Sequence, residues 1–100
     1  MGEKYISPAQ CRAARALLEW TREDLAAASG VSKMTLADFE TGKRKPYART
    51  LFDVREALEH GGVFLMYAGE GDDPYGAGVR YLDQEGTTLS ADVVRQILKR

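Results

Sequence analysis

The chain has 100 residues, 44% apolar and 29% charged, with a formal net charge of −1. That length suits one small domain with a modest core and is too short for two. No apolar run approaches the roughly 18 residues a membrane helix needs, Met1-Gly2-Glu3-Lys4 leads into no hydrophobic signal region, and the lone Cys11 excludes an internal disulfide. A cytoplasmic protein is the default expectation.

Residues 1–6 read as a loose lead-in. Ser7-Pro8-Ala9-Gln10 is a helix start: Ser7 at the N-cap, Pro8 at the first helical position, and Gln10 placed to complete a capping box. The helix is expected to run to about Trp20, with Cys11, Ala14, Leu17 and Leu18 on its apolar face. On that face Cys11 reads as a small core residue, since it has no partners for redox or metal chemistry. Trp20 reads as core, or as a staple onto Leu25 or a neighbour.

The chain is organised around residues 21–42, which read as two short capped helices joined by a tight turn. Thr21 is a good N-cap, with Glu23 and Asp24 in the first turn where the helix dipole favours acids. Gly30 is the expected C′ residue, free to take a positive φ. Val31 plugs the turn. Ser32 caps the second helix, Leu36 and Phe39 mark its inner face, and Thr41-Gly42 stops it. Small Ala26 suits a steep crossing of two helices, and the whole describes a helix-turn-helix.

Lys43, Arg44, Lys45 and Arg49 follow with no acid between residues 41 and 49. Residues 70–85 carry five acids, Glu70, Asp72, Asp73, Asp83 and Glu85, against Arg80. A basic patch and an acidic loop therefore cancel on paper while lying apart in the chain, so the near-zero sum does not argue against an anionic partner. Pro46 ends regular structure in this loop. A fourth helix is expected over residues 48–60, with Leu51, Val54 and Leu58 inward, and Gly61-Gly62 terminates it. His60 lies near its C-terminus, where the dipole favours a cation. The main core is expected to comprise Leu18, Leu25, Val31, Leu36, Phe39, Leu51, Val54 and Leu58.

Residues 63–67 and 78–82 then read as two strands, joined by a polar loop containing Pro74. Two strands alone are marginal. They must pack on the helices or pair with another chain. Ser90 caps a last helix in which Asp92 lies early and Lys99 and Arg100 late, with Val93, Val94, Ile97 and Leu98 as an apolar stripe. That helix either folds back on its own domain or forms a dimer contact.

The features Leu25-Ala26, Gly30-Val31-Ser32, Leu36, Phe39-Glu40, Gly42, Pro46, Thr50-Leu51 and Ala57-Leu58, in this order and spacing, resemble the lambda-repressor/Cro-like (XRE-type) helix-turn-helix family over about residues 7–61. The resemblance implies a mainly α fold, a four-to-five-helix bundle, here extended by a C-terminal β-hairpin and a terminal helix. It implies residues 7–61 as a DNA-binding domain, and 62–100 are expected as a dimerisation extension. It also implies an ion pair between Arg15 and Glu40.

By family position, Lys33, Met34, Thr35 and Asp38 would face base edges. Lys33 can donate to guanine O6 and N7, and Thr35 and Met34 can touch a thymine methyl. Asp38 can accept from a cytosine amino group or repel phosphates in poor registers. Met34 has the alternative of a semi-buried packing role. Phosphate contacts are expected from the helix starts at Thr21, Arg22 and Ser32 and from Lys43, Arg44, Lys45 and Arg49.

An enzyme is not expected: the chain has one histidine, one cysteine, no phosphate-cradling glycine motif and no metal-ligand spacing. Glu70 with Asp72 and Asp73 reads as a solvated loop rather than a cation site. No cofactor is anticipated. The leading expectation is a homodimeric repressor reading a palindromic operator, nucleoid-associated when bound. Alternatives are an antitoxin that binds DNA and neutralises a partner protein through its C-terminal segment, and an interaction module whose motif no longer reads DNA.

Overall fold

The computed structural model describes residues 4–69 and 75–100. Five helices and a two-stranded antiparallel hairpin follow in the order α1 (Pro8–Leu18), α2 (Arg22–Ser29), α3 (Lys33–Glu40), α4 (Ala48–Gly61), β1 (Val63–Met66), β2 (Gly78–Tyr81) and α5 (Ala91–Leu98). The mainly α class and the element order agree with the sequence. The acidic stretch Glu70, Asp72 and Asp73 lies outside the described residues, as does Pro74.

The helix starts are set by local hydrogen bonds. Ser7 Oγ accepts from Gln10 N at 3.1 Å and Ser7 N donates to Gln10 Oε1 at 3.0 Å, closing the capping box. Thr21 and Asp24 make the same reciprocal pair on α2, at 3.0 and 2.9 Å. The sequence reading gave Asp24 only a dipole role. Ser32 and Ser90 cap α3 and α5 by accepting from Thr35 N and Val93 N.

All eight residues expected in the core are buried, together with Trp20 and Cys11. Ala28 is fully buried, while Ala26 packs partly exposed against the core. The lead-in is less loose than its composition suggests: Ile6 is buried, because a branched apolar side chain next to the first helix has core to cover it.

The hairpin packs on α1 and α4. Val63 and Leu65 point inward, while Phe64, on the opposite face, lies 5.2 Å from the Arg80 guanidinium. Its register pairs Val63 with Tyr81 and Met66 with Gly78. Gln10 fastens it: Nε2 donates to Met66 O at 2.7 Å and Gly78 O at 3.2 Å, one carbonyl from each strand.

The terminal helix folds back. α5 packs on α2 and α4, burying Ala91 and Val94 and partly burying Leu98. Arg100 Nη2 reaches Glu56 Oε1 on α4 at 2.7 Å and Asp53 Oδ1 at 3.4 Å. The apolar stripe read as one surface is split, because Val93 and Ile97 face away from the domain at 41% and 53% exposure.

Candidate nucleic-acid interface

The turn between α2 and α3 follows from one residue. Gly30 takes φ 77°, a conformation that costs a glycine nothing, and its N–H closes α2 on Ala26 O at 2.9 Å. Val31 is then buried in the turn, and Ser29 Oγ accepts from Val31 N at 3.2 Å. α3 leaves the turn with Leu36 and Phe39 buried behind it and Ser32, Lys33 and Met34 exposed in front. Met34 is 75% exposed, so it is not a packing residue in the free chain.

The C-terminal end of α3 is held by Glu40, whose side chain is wholly buried. Arg15 Nε and Nη2 donate to its two oxygens, each at 2.7 Å. Arg22 Nε adds a bond at 2.8 Å and Cys11 Sγ one at 3.0 Å. Arg12 donates to the Glu40 main-chain carbonyl. Burial on its own would raise the Glu40 pKa. The hydrogen bonds from Arg15, Arg22 and Cys11 and the Arg15 charge outweigh it and hold the carboxyl down at about 2. Burial, and next the Glu40 bond, push the Cys11 thiol up, so it stays protonated and donates. The bond to Glu40 likewise raises Arg15.

Of the expected base-facing residues, Lys33 and Met34 are exposed, and Thr35 and Asp38 are half-buried. Thr35 Oγ1 accepts from Ser32 Oγ at 2.9 Å. The Asp38 main-chain carbonyl accepts from Lys43 N at 2.8 Å and Arg44 N at 3.2 Å, which folds the basic turn against the end of α3. Lys33 Nζ pairs with Glu23 Oε1 on α2 at 2.6 Å.

Of the expected phosphate-facing residues, Thr21 and Ser32 are exposed N-caps, and the Thr21 N–H is taken by Asp24 Oδ2. The Arg22 side chain is engaged by Glu40 yet stays 34% exposed. Lys43, Arg44 and Lys45 are exposed side by side. Arg49 is 77% exposed, 3.4 Å from Asp53 and 5.9 Å from the Phe52 ring centroid.

The family resemblance implied the Arg15–Glu40 pair, but neither it nor the residue pattern pointed to Arg12, Arg22 or Cys11 around it, nor to the Glu23–Lys33 bridge. A cysteine on an apolar face carries no periodic signal for a polar contact. Glu23 and Lys33 lie ten residues apart, beyond any helical spacing, and only the turn brings them together.

Two short helices joined through a left-handed glycine, with the second locked from behind and flanked by a basic turn, define a helix-turn-helix. Residues 12–59 match the helix-turn-helix family model, a stretch that holds α2, the turn, α3, the basic loop and most of α4. Over 50 residues the chain is 46% identical to proteins described as uncharacterized HTH-type transcriptional regulators from Mycobacterium bovis and from two strains of Mycobacterium tuberculosis. The match covers 50% of this chain and 20% of each relative, so the chain spans about a fifth of their length.

Proposed function

We propose that this protein is a sequence-specific, double-stranded DNA-binding transcriptional regulator without enzymatic activity, which enters the major groove with the N-terminal half of α3. The observation that carries the reading is the asymmetry of α3. Leu36, Phe39 and Glu40 fix it to the domain, while Ser32, Lys33 and Met34 stand clear on the opposite side. A helix presented this way fits the major groove, where each base pair offers a distinct donor and acceptor pattern.

Lys33, Met34, Thr35 and Asp38 read base edges. Lys43, Arg44, Lys45 and Arg49, with the helix starts at Thr21, Arg22 and Ser32, hold phosphates and set the register. The relatives' description as transcriptional regulators supports the same role here.

The reading extends to a homodimer acting as a repressor on a palindromic operator. One small motif binds weakly, and two motifs about 34 Å apart read both half-sites from one face of the duplex. The outward apolar residues of α5, Val93 and Ile97, with Leu82 at 63% and Leu89 at 38% exposure, support a seam in the segment 62–100. Selection of bound fragments from random duplex DNA tests the proposal. A recovered consensus with two inverted halves one helical turn apart supports it; recovery of no preferred sequence refutes it.

A further inference from the structure

We propose that the cleft between the N-terminal lead-in and the outer face of α4 is a binding site for a small planar aromatic anion, of the arene carboxylate class. The inference stands apart from the DNA-reading role proposed above.

The cleft has a volume of about 500 Å³, within the range of small-molecule sites. Its walls come from three places in the chain: residues 4–6 ahead of α1, the first two turns of α4, and Tyr67 just past β1. Ile6, Leu51 and Tyr67 supply a buried, largely apolar side. Tyr5 and Phe52 are its half-covered rings, 44% and 50% exposed. Three cations, Lys4, Arg49 and Arg55, complete the lining, and no acid lines it among the described residues.

The cations are loosely engaged. Arg49 Nε lies 3.4 Å from Asp53 Oδ1 and Arg55 Nε 3.3 Å from Glu59 Oε2, each across one helical turn. Pairs of this kind at a surface contribute little and exchange readily, and neither acid lines the cleft. Lys4 Nζ donates to the Ala68 carbonyl at 3.4 Å, a neutral acceptor.

Charges and rings are interleaved. The Arg55 guanidinium lies 5.6 Å from the Tyr67 ring centroid, and that of Arg49 5.9 Å from the Phe52 centroid. Against a ring, a guanidinium can still grip a carboxylate along its N–H edge. A planar aromatic anion uses both features together: its ring covers Tyr5 and Phe52, and its carboxylate meets the cations. An inorganic anion uses only the charges, and a neutral arene only the rings. A duplex backbone reaching Arg49 offers charge but no free ring, because its bases are stacked inside.

The test titrates the full chain with naphthoate by calorimetry. Naphthalenemethanol keeps the ring without the charge, and acetate keeps the charge without the ring. One naphthoate per chain is expected to bind saturably, with each control at least about tenfold weaker. Arg55→Gln and Phe52→Leu should each weaken naphthoate by about three- to tenfold. Arg80→Gln should leave it unchanged: Arg80 also lies over a ring, 5.2 Å from the Phe64 centroid, but outside the cleft. Backbone amide shifts on the unsubstituted chain give a reading that needs no variant, and they should cluster in residues 4–6, 48–55 and 67. Four results would each overturn the inference: no saturable binding at millimolar naphthoate, equal binding of naphthoate and naphthalenemethanol, amide shifts centred elsewhere, or equal effects of Arg80→Gln and Arg55→Gln.

Discussion

Arg15 on α1 grips the buried carboxylate of Glu40 with two parallel hydrogen bonds of 2.7 Å each, fixing the far end of α3 to the first helix. A bidentate guanidinium–carboxylate contact sets orientation as well as distance. Together with buried Leu36 and Phe39, this contact fixes α3 from behind and from its C-terminal end, leaving Lys33 and Met34 at the other end exposed.

Glu40→Gln should destabilise the fold by about 3 kcal/mol, because it removes one half of a buried pair and leaves Arg15 and Arg22 without their counter-charge. Urea denaturation followed by far-UV circular dichroism measures this. A loss under about 1 kcal/mol would mean that water readily replaces the carboxylate.

Acid should undo the same contact. The Glu40 carboxyl titrates at about 2 when folded, below its ordinary 4.5. A group lowered on folding contributes its full stability above the ordinary value and loses it as the pH falls through the folded one. The contribution, about 3 kcal/mol, should therefore vanish between about pH 4.5 and 2. Melting temperature in that window should fall more steeply for the wild type than for Glu40→Gln.

Gly61 ends α4 directly beneath the tryptophan. A Cβ there would sit 2.9 Å from both Leu18 Cδ1 and Trp20 Cζ2. Gly61→Ala gains about 1 kcal/mol of helix propensity but overpacks the core by about 1–3 kcal/mol. The expected net effect is a lower melting temperature and an altered Trp20 emission. Gly62→Ala should be worse, since φ is 119° and the new Cβ would lie 2.5 Å from Thr87 O.

On DNA, Lys33→Ala and Lys43→Ala should fail in different ways. Lys33→Ala should reduce the preference for one base by about 1–3 kcal/mol. Lys43→Ala should weaken all sequences alike and flatten the salt slope by about one unit. Titrations on the selected site, its single-base variants and random duplex separate the two; identical losses on every sequence would remove Lys33 from base reading.

Ile97→Asp tests the seam. The residue is 53% exposed on the outside of α5, so the change should spare the fold and halve the mass measured by light scattering. An unchanged dimer mass would move the proposed seam elsewhere, and a monomeric wild type would remove the proposed dimer.

Much of this architecture was legible in the sequence because it is written in local signals. Ser7, Thr21, Ser32 and Ser90 announced four helix starts, and Gly30 and Gly62 two helix ends. The apolar spacing within 48–60 named the buried face of α4. The resemblance supplied Arg15 with Glu40, a contact 25 residues apart that no periodicity reports. What stayed hidden was tertiary. Gln10 looked complete as a capping residue, yet its spare amide fastens both strands. Val93 and Val94 are adjacent valines of equal hydropathy, and only the packing of α5 on α2 and α4 decides that Val94 is covered and Val93 is not.

The interior of this protein does not stop where the matched segment does. Val63, Leu65, Ala91 and Val94 belong to the same apolar cluster as Leu25, Val54 and Leu58. A helix-turn-helix module cut out as residues 12–59 and transplanted onto another protein would arrive with the outer flanks of α2 and α4 wet. The smallest portable piece therefore includes Ile6 on one side and the whole of α5 on the other.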